Sequence, residues 1–265
     1  MVVDAAGHVY LTDTDGNKRS QVVELNNAGA IVARWQHFAW NQNARNGPEG
    51  IATTRSGTVL VTDGGASQIL ELRPGLTRGG AFASDVKFAD LGHIAVSRDG
   101  IYVSEGPPRT ILKLTLGGRL IERWHRAKGR ASAEWSFPEA IAVQPKGNLV
   151  LEDWANRRIE ILAPSGVTLA IFGTAGQGDG QFVNTAGLTV DSRGNIYVAD
   201  VGLHRLQEFD AEGRFIRVIG RHAGRTIFRR GPSSVAIGPT GDIYAADGLS
   251  IVRLDHEGRL ISRWS

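Results

Sequence analysis

An acidic residue returns along the chain at Asp13, Asp63, Glu105, Asp153, Asp200 and Asp247, at spacings of 50, 42, 48, 47 and 47 residues. A period of that length, held from one end to the other, restricts the fold to repeated supersecondary units that bury their apolar faces against one another. The clearest unit runs from Gly187 to Gly220, GLTVDSRGNIYVADVGLHRLQEFDAEGRFIRVIG. In it GLTVD and NIYVAD flank a turn ending in Gly194, RLQEF follows an Asp-initiated loop, and RFIRVIG follows a turn ending in Gly213. Each run is rich in β-branched, aromatic and other apolar residues, and each turn closes on a glycine, which adopts the left-handed conformation without steric cost. The unit predicts four short strands.

First-turn glycines recur in step at Gly7, Gly57, Gly100, Gly147, Gly194 and Gly241. Third strands read VVEL, ILEL, ILKL, IEIL, LQEF and IVRL, and fourth strands end in Trp35, Trp124, Phe172, Ile219 and Trp264. Only the second copy, after Pro74 and Gly75, has a poorly defined fourth strand. The expectation is an all-β chain, a six-bladed β-propeller of four-stranded antiparallel blades. No segment keeps a 3.6-residue apolar period, so no substantial helix is expected. The blades fall at approximately 1–35, 48–82, 88–124, 137–173, 182–220 and 231–264, and tile residues 1–265 as a single domain without a linker.

Hydrophobic residues at 42% supply enough apolar surface to pack blade on blade. No run approaches the length of a membrane span, so no membrane partner is expected. There is no cysteine, which excludes disulfides, thiolate chemistry and cysteine-held zinc. The opening MVVDAAG has neither a basic segment nor an apolar run, so no signal peptide is visible. Met1 aligns with Ile51 of the second copy, so the first blade lacks its entry triplet, as it would in a chain that has lost an N-terminal segment or a signal.

PEGIATT at 48–54, FPEAIAV at 137–143, GQGDGQF at 176–182 and NRRIEIL at 156–162, with the template, resemble the NHL repeat family. That family's copies read roughly P-x-G-I-A-V-D, I-Y-V-A-D, N-x-R-I-Q-x-F and F-G, and the resemblance covers the whole chain. It implies a six-bladed propeller whose first strands line a channel, with the P-x-G entry and the loop after the second strand at one mouth. It implies no activity, because the fold hosts binding modules and enzymes alike. Gluconolactonase-type and amidating-lyase propellers, which this sequence resembles only in fold, place metal ligands at the middle position of that triplet. Here the position holds Glu49 and Glu139 in blades two and four, and Gly92, Ala186 and Ser233 in blades three, five and six. The likeness implies that Glu49 and Glu139 hold a divalent cation such as calcium, with waters completing its shell. The alternative is a pair of solvated rim acids.

Other residues expected at the mouth are His93 beside Gly92, and Trp40 in the loop 36–47. Arg109 follows Gly106, Pro107 and Pro108, and is read either as orienting an anionic ligand or as pairing with Glu105. Trp154 stands where the template has Val201, and is read as a ligand-facing aromatic or as cover for a neighbouring blade. Asp13, Asp15, Asn17 and Glu24 occupy positions 1, 3, 5 and 12 of a calcium loop, but Lys18 replaces its obligatory glycine, so a polar turn is preferred. His204 is read as a packing residue. The six recurrent acids are read as holders of loop amides, since they return whatever else changes.

The loops 124–137 and 220–232 carry net charges of +2 and +4, more together than the +3 of the whole chain. With Trp135, Phe137 and Phe228 beside them, they form a candidate surface for RNA, which some animal members of the family bind. Solvated loops are the plainer reading. No nucleophile elbow, H-E-x-x-H or P-loop is present, and the seven histidines are dispersed. The leading expectation is a module that binds a small molecule or protein at the channel mouth. Its rival is a metal-assisted hydrolase or lyase, lactonase-like or amidating-lyase-like, with Glu49 and Glu139 on the cation and a rim acid or His93 as proton acceptor.

Overall fold

The computed structural model describes residues 1–13, 20–38, 47–106, 109–222 and 225–265. The template segment forms the strands Thr185–Val190, Ile196–Asp200, Arg205–Phe209 and Phe215–Ile219, hydrogen-bonded in chain order. Its turns work as their residues require. Asp191 Oδ1 accepts the amides of Arg193 at 2.8 Å and Asn195 at 2.9 Å, while Gly194 closes the turn at φ 95°. Asp210 does the same for Glu212 and Arg214 in the next turn.

Five further sheets repeat this order, and the chain is a six-bladed β-propeller. Blade 1 comprises Val2–Val3, Val9–Asp13, Gln21–Leu25 and Ile31–Trp35; blade 2 comprises Pro48–Thr53, Val59–Asp63, Gln68–Arg73 and Thr77–Phe82. Blade 3 comprises Leu91–Val96, Ile101–Glu105, Thr110–Leu114 and Leu120–His125; blade 4 comprises Pro138–Val143, Leu149–Asp153, Arg158–Leu162 and Thr168–Phe172. Blade 5 is the template, and blade 6 comprises Pro232–Ile237, Ile243–Asp247, Ser250–Leu254 and Leu260–Trp264. The only helical elements among the described residues are two single 3-10 turns, Trp154–Asn156 and Val201–Leu203. Blade 2 differs from expectation in having a regular fourth strand. TRGGAF lacks apolar alternation, yet Thr77–Phe82 pairs along Gln68–Arg73 because the ladder is built from backbone groups.

The chain divides into two compact halves, Met1–His125 with blades 1 to 3 and Arg126–Ser265 with blades 4 to 6. In the first half, one apolar cluster joins Tyr10 and Val22 to Val61 and Leu70, and another joins Leu60 and Ile69 to Ile101 and Leu112. In the second half, Ile159 and Ile161 pack with Val198 and Phe209, and Leu206 and Ile219 pack with Val235 and Val252. Trp135, Phe182 and Phe228, one in the segment before each blade of this half, are wholly buried. Burial of such side chains contributes about 2 kcal/mol each before chain entropy is counted.

Candidate functional site

The recurrent acids occupy one register position. Asp63, Glu105, Asp153, Asp200 and Asp247 each pair with the first residue of the neighbouring first strand: Pro48, Leu91, Pro138, Thr185 and Pro232. Asp153 Oδ1 accepts the amides of Ser136 and Phe137, both at 2.9 Å, and Asp247 accepts those of Arg229 at 2.8 Å and Arg230 at 2.7 Å. Asp200 takes Val183 and Asn184 in the same way. The reading of these acids as holders of loop amides is therefore correct for these blades. Arg158, Arg205 and Arg263 neutralise Asp153, Asp200 and Asp247, and Arg123 lies 3.3 Å from Glu105.

Beside each acid the register slips, so the middle triplet position falls on a β-bulge in blades 2, 4, 5 and 6. A bulge takes its residue out of the strand's alternation and re-aims the side chain. Glu49 and Glu139 occupy this position half-buried, and Ser233 occupies it exposed. Gly50 follows Glu49 because the next blade lies too close for a side chain. A Cβ there would stand 2.7 Å from both His93 Cα and Ile94 N.

The residue before each acid faces the bulge, a position that the sequence reading passed over. Thr62 Oγ1 accepts the Gly50 amide at 2.7 Å and donates to Gly92 O of the following blade at 2.6 Å. Thr12 Oγ1 donates to Glu49 O at 3.4 Å, and Ser104 Oγ accepts the His93 amide at 2.9 Å. Blades 5 and 6 carry Ala199 and Ala246, while blade 4 carries Glu152. The signal was present in the sequence as one carboxylate in a column of threonine, serine and alanine.

Glu152 is 1% exposed, and its Oε1 has no hydrogen-bond partner. Burial pushes its pKa up to about 7, the neighbouring Glu139 and Asp153 charges add to the rise, and the Thr185 hydroxyl and Ala140 amide oppose it. Thr185 Oγ1, from the next blade, faces this carboxylate without closing a hydrogen bond of ordinary geometry, and is likewise buried and unpartnered. Two residues beyond Glu152, Trp154 is 42% exposed. Its Nε1 donates to Asn184 Oδ1 at 3.2 Å, and its ring meets Phe137 edge-on at 6.1 Å.

His93 is half-buried, and Arg109 adopts the left-handed backbone at φ 66°. Trp40, Pro107 and Pro108 lie outside the described residues, as do Asp15, Asn17 and Lys18 of the calcium-like loop. Glu24, the last residue of that loop pattern, receives Tyr10 OH at 3.1 Å and has His8 Nδ1 at 2.8 Å. His204 caps a 3-10 turn at φ 50°, its Nδ1 3.3 Å from Phe228 O, in keeping with a packing role. Glu49 belongs to the first half and Glu139 to the second. Among the described residues no three His, Cys, Asp or Glu side chains come together as a metal centre.

The basic loops are partly consumed by structure. Arg126 ion-pairs with Glu160 at 3.0 Å and stacks at 4.5 Å over Trp135. Trp135 and Phe228 are 0% exposed and offer no stacking face. Among the described residues no helix is long and apolar enough to cross a membrane.

The NHL repeat model matches residues 184–209, the body of blade 5. B-box type zinc finger protein ncl-1 of Caenorhabditis elegans is 50% identical over 44 residues, 17% of this chain and 5% of that protein. The probable peptidyl-alpha-hydroxyglycine alpha-amidating lyase pgal-1 of the same organism is 31% identical over 94 residues, 32% of this chain and 27% of that protein. These matches thus span less than a third of either relative. A streptogramin B lyase structure aligns over 100% of this chain and 81% of its own, with a TM-score of 0.68 and 14% identity, which is a likeness of fold alone. With the NHL repeat matched on blade 5 and six sheets of the same strand order, the chain is a six-bladed β-propeller that carries an NHL repeat.

Proposed function

We propose that this propeller is a recognition module, binding a small molecule or a protein segment at the end of the blades where the second strands terminate. The observation that carries this reading is Trp154, an indole 42% exposed yet held in place by Asn184 and Phe137. An aromatic fixed at the surface offers a large contact area at little entropic cost, the usual character of a binding anchor. In the second half Glu139 and Ser233 supply polar contacts at the same register position; in the first, Glu49, His93 and Arg109 stand at the corresponding ends of their blades.

The test is an array of short peptides and metabolites probed with the protein and with Trp154→Ala and Glu139→Ala. Binders lost in both variants support the reading, and binders indifferent to both overturn it.

A second reading, lyase or hydrolase chemistry, draws on the segment shared with the protein named as an amidating lyase. It requires a cation on Glu49 and Glu139, and two carboxylates fall short of the three protein ligands of a catalytic zinc site or the oxygen cage of calcium. Nucleic-acid binding would rest on Arg229 and Arg230, both exposed, without an aromatic platform from Trp135 or Phe228.

A further inference from the structure

Blade 4 departs from its sister blades at one buried position. Thr62 and Ser104 there satisfy a bulge amide, and Ala199 and Ala246 bring no polar group. Glu152 takes the corresponding Ala140 amide but brings a second carboxylate oxygen, Oε1, that is left open, and Thr185 Oγ1 from the adjoining strand of blade 5 is open beside it. Leaving buried polar atoms unpaired is costly, and here two of them face one another, with the carboxylate of Glu139 near enough to act on Glu152. Trp154 stands two residues beyond Glu152, and its indole is tied to Asn184, the residue before Thr185.

We propose that Glu152, Thr185 and Glu139 form a binding site for the primary ammonium group of a ligand, with Trp154 against its alkyl stem. The inference rests on the reading of this end of the blades as a binding surface, and it names the chemistry recognised there. An alkylammonium presents three donors on a slim, unbranched stem, matching a carboxylate oxygen, a hydroxyl and a second carboxylate. A guanidinium is a broad planar fork that needs two acceptors in one plane. A hard metal ion needs a larger oxygen set than these residues provide. The cation also offsets the repulsion between Glu139 and Glu152, which no neutral ligand would do.

The experiment is calorimetric titration of n-butylammonium into the protein, Glu152→Ala and Glu152→Gln. Glu152→Ala reproduces what blades 5 and 6 carry at this position, so it is expected to fold, and circular dichroism verifies it. Saturable binding to the protein should weaken about tenfold or more in both variants, the effect of one charge-assisted hydrogen bond. n-Butyltrimethylammonium has the charge and stem but no N–H donor, and should not bind. Equal binding of the quaternary amine, undiminished binding to Glu152→Ala, or no binding of the primary amine overturns the proposal.

A lysine-containing tripeptide and its acetyl-lysine counterpart separate the sources. Tighter binding of the free lysine form assigns the site to a protein side chain, and binding of butylammonium alone assigns it to a small amine. If array binders depend on Trp154 yet neither they nor butylammonium respond to Glu152→Ala, the ammonium site falls and the recognition surface stands.

Discussion

Arg158 Nε lies 3.2 Å from Asp153 Oδ2, and the aspartate side chain is wholly buried. The same guanidinium donates to the carbonyls of Arg130, Ala131 and Glu134, so one side chain ties the end of a second strand to the loop entering the blade. Arg158→Ala should cost about 3 kcal/mol, because it strands a buried carboxylate. Arg214, exposed and paired with Asp210 at 2.6 Å, provides the control: Arg214→Ala should leave urea denaturation unchanged.

The pH dependence of stability should carry the signature of Glu152. Its folded-state pKa is raised from 4.5 to about 7, so the folded protein binds this proton more tightly than the unfolded chain does. The associated stability is present in full below about pH 4.5, is lost as pH rises towards 7, and is absent above that. Glu152→Gln should remove this slope and be more stable than the parent at pH 8 by about 3 kcal/mol. Chemical denaturation of both proteins from pH 4.5 to 8 measures the difference; parallel curves would refute it.

Trp154→Ala should abolish ligand recognition while changing stability by less than about 1 kcal/mol, since the ring is partly exposed and makes one side-chain hydrogen bond. A large fall in Tm would instead make the residue a packing element.

Calcium is expected to leave Tm unchanged in the protein and in the Glu49→Gln, Glu139→Gln double variant, because two carboxylates do not complete a calcium shell. A calcium-dependent rise in Tm that the double variant loses would restore the metal reading and the hydrolase or lyase alternative.

Gly50→Ala should destabilise the first half by about 2 kcal/mol, as its methyl must displace the backbone of His93 and Ile94. Ala140, at the equivalent position of blade 4, shows that the requirement belongs to the approach between blades 2 and 3 and not to the repeat as a whole.

The periodic features were legible in the sequence because local chemistry sets them. Asp191 and Gly194 make their turn from their own side chain and backbone freedom, and the acids at Asp153, Asp200 and Asp247 hold amides within their own repeat. Blade count and strand order follow from such short-range rules, which repeat with the chain. The fourth strand of blade 2 escaped them because its pairing is made by backbone and leaves no apolar pattern.

What tertiary structure alone decided is the environment of each exception to the repeat. Trp135 and Phe228 read as surface aromatics beside basic loops, but packing placed them in the core and turned Arg126 onto Trp135. Glu152 and Thr185 are more than thirty residues apart and unremarkable singly; only the seating of blade 5 against blade 4 sets their open oxygens face to face. A sequence period specifies which residues are equivalent. Desolvation and partnering depend on what the neighbouring blade brings, and a carboxylate acquires a raised pKa and an unmet hydrogen bond only when that neighbour closes over it.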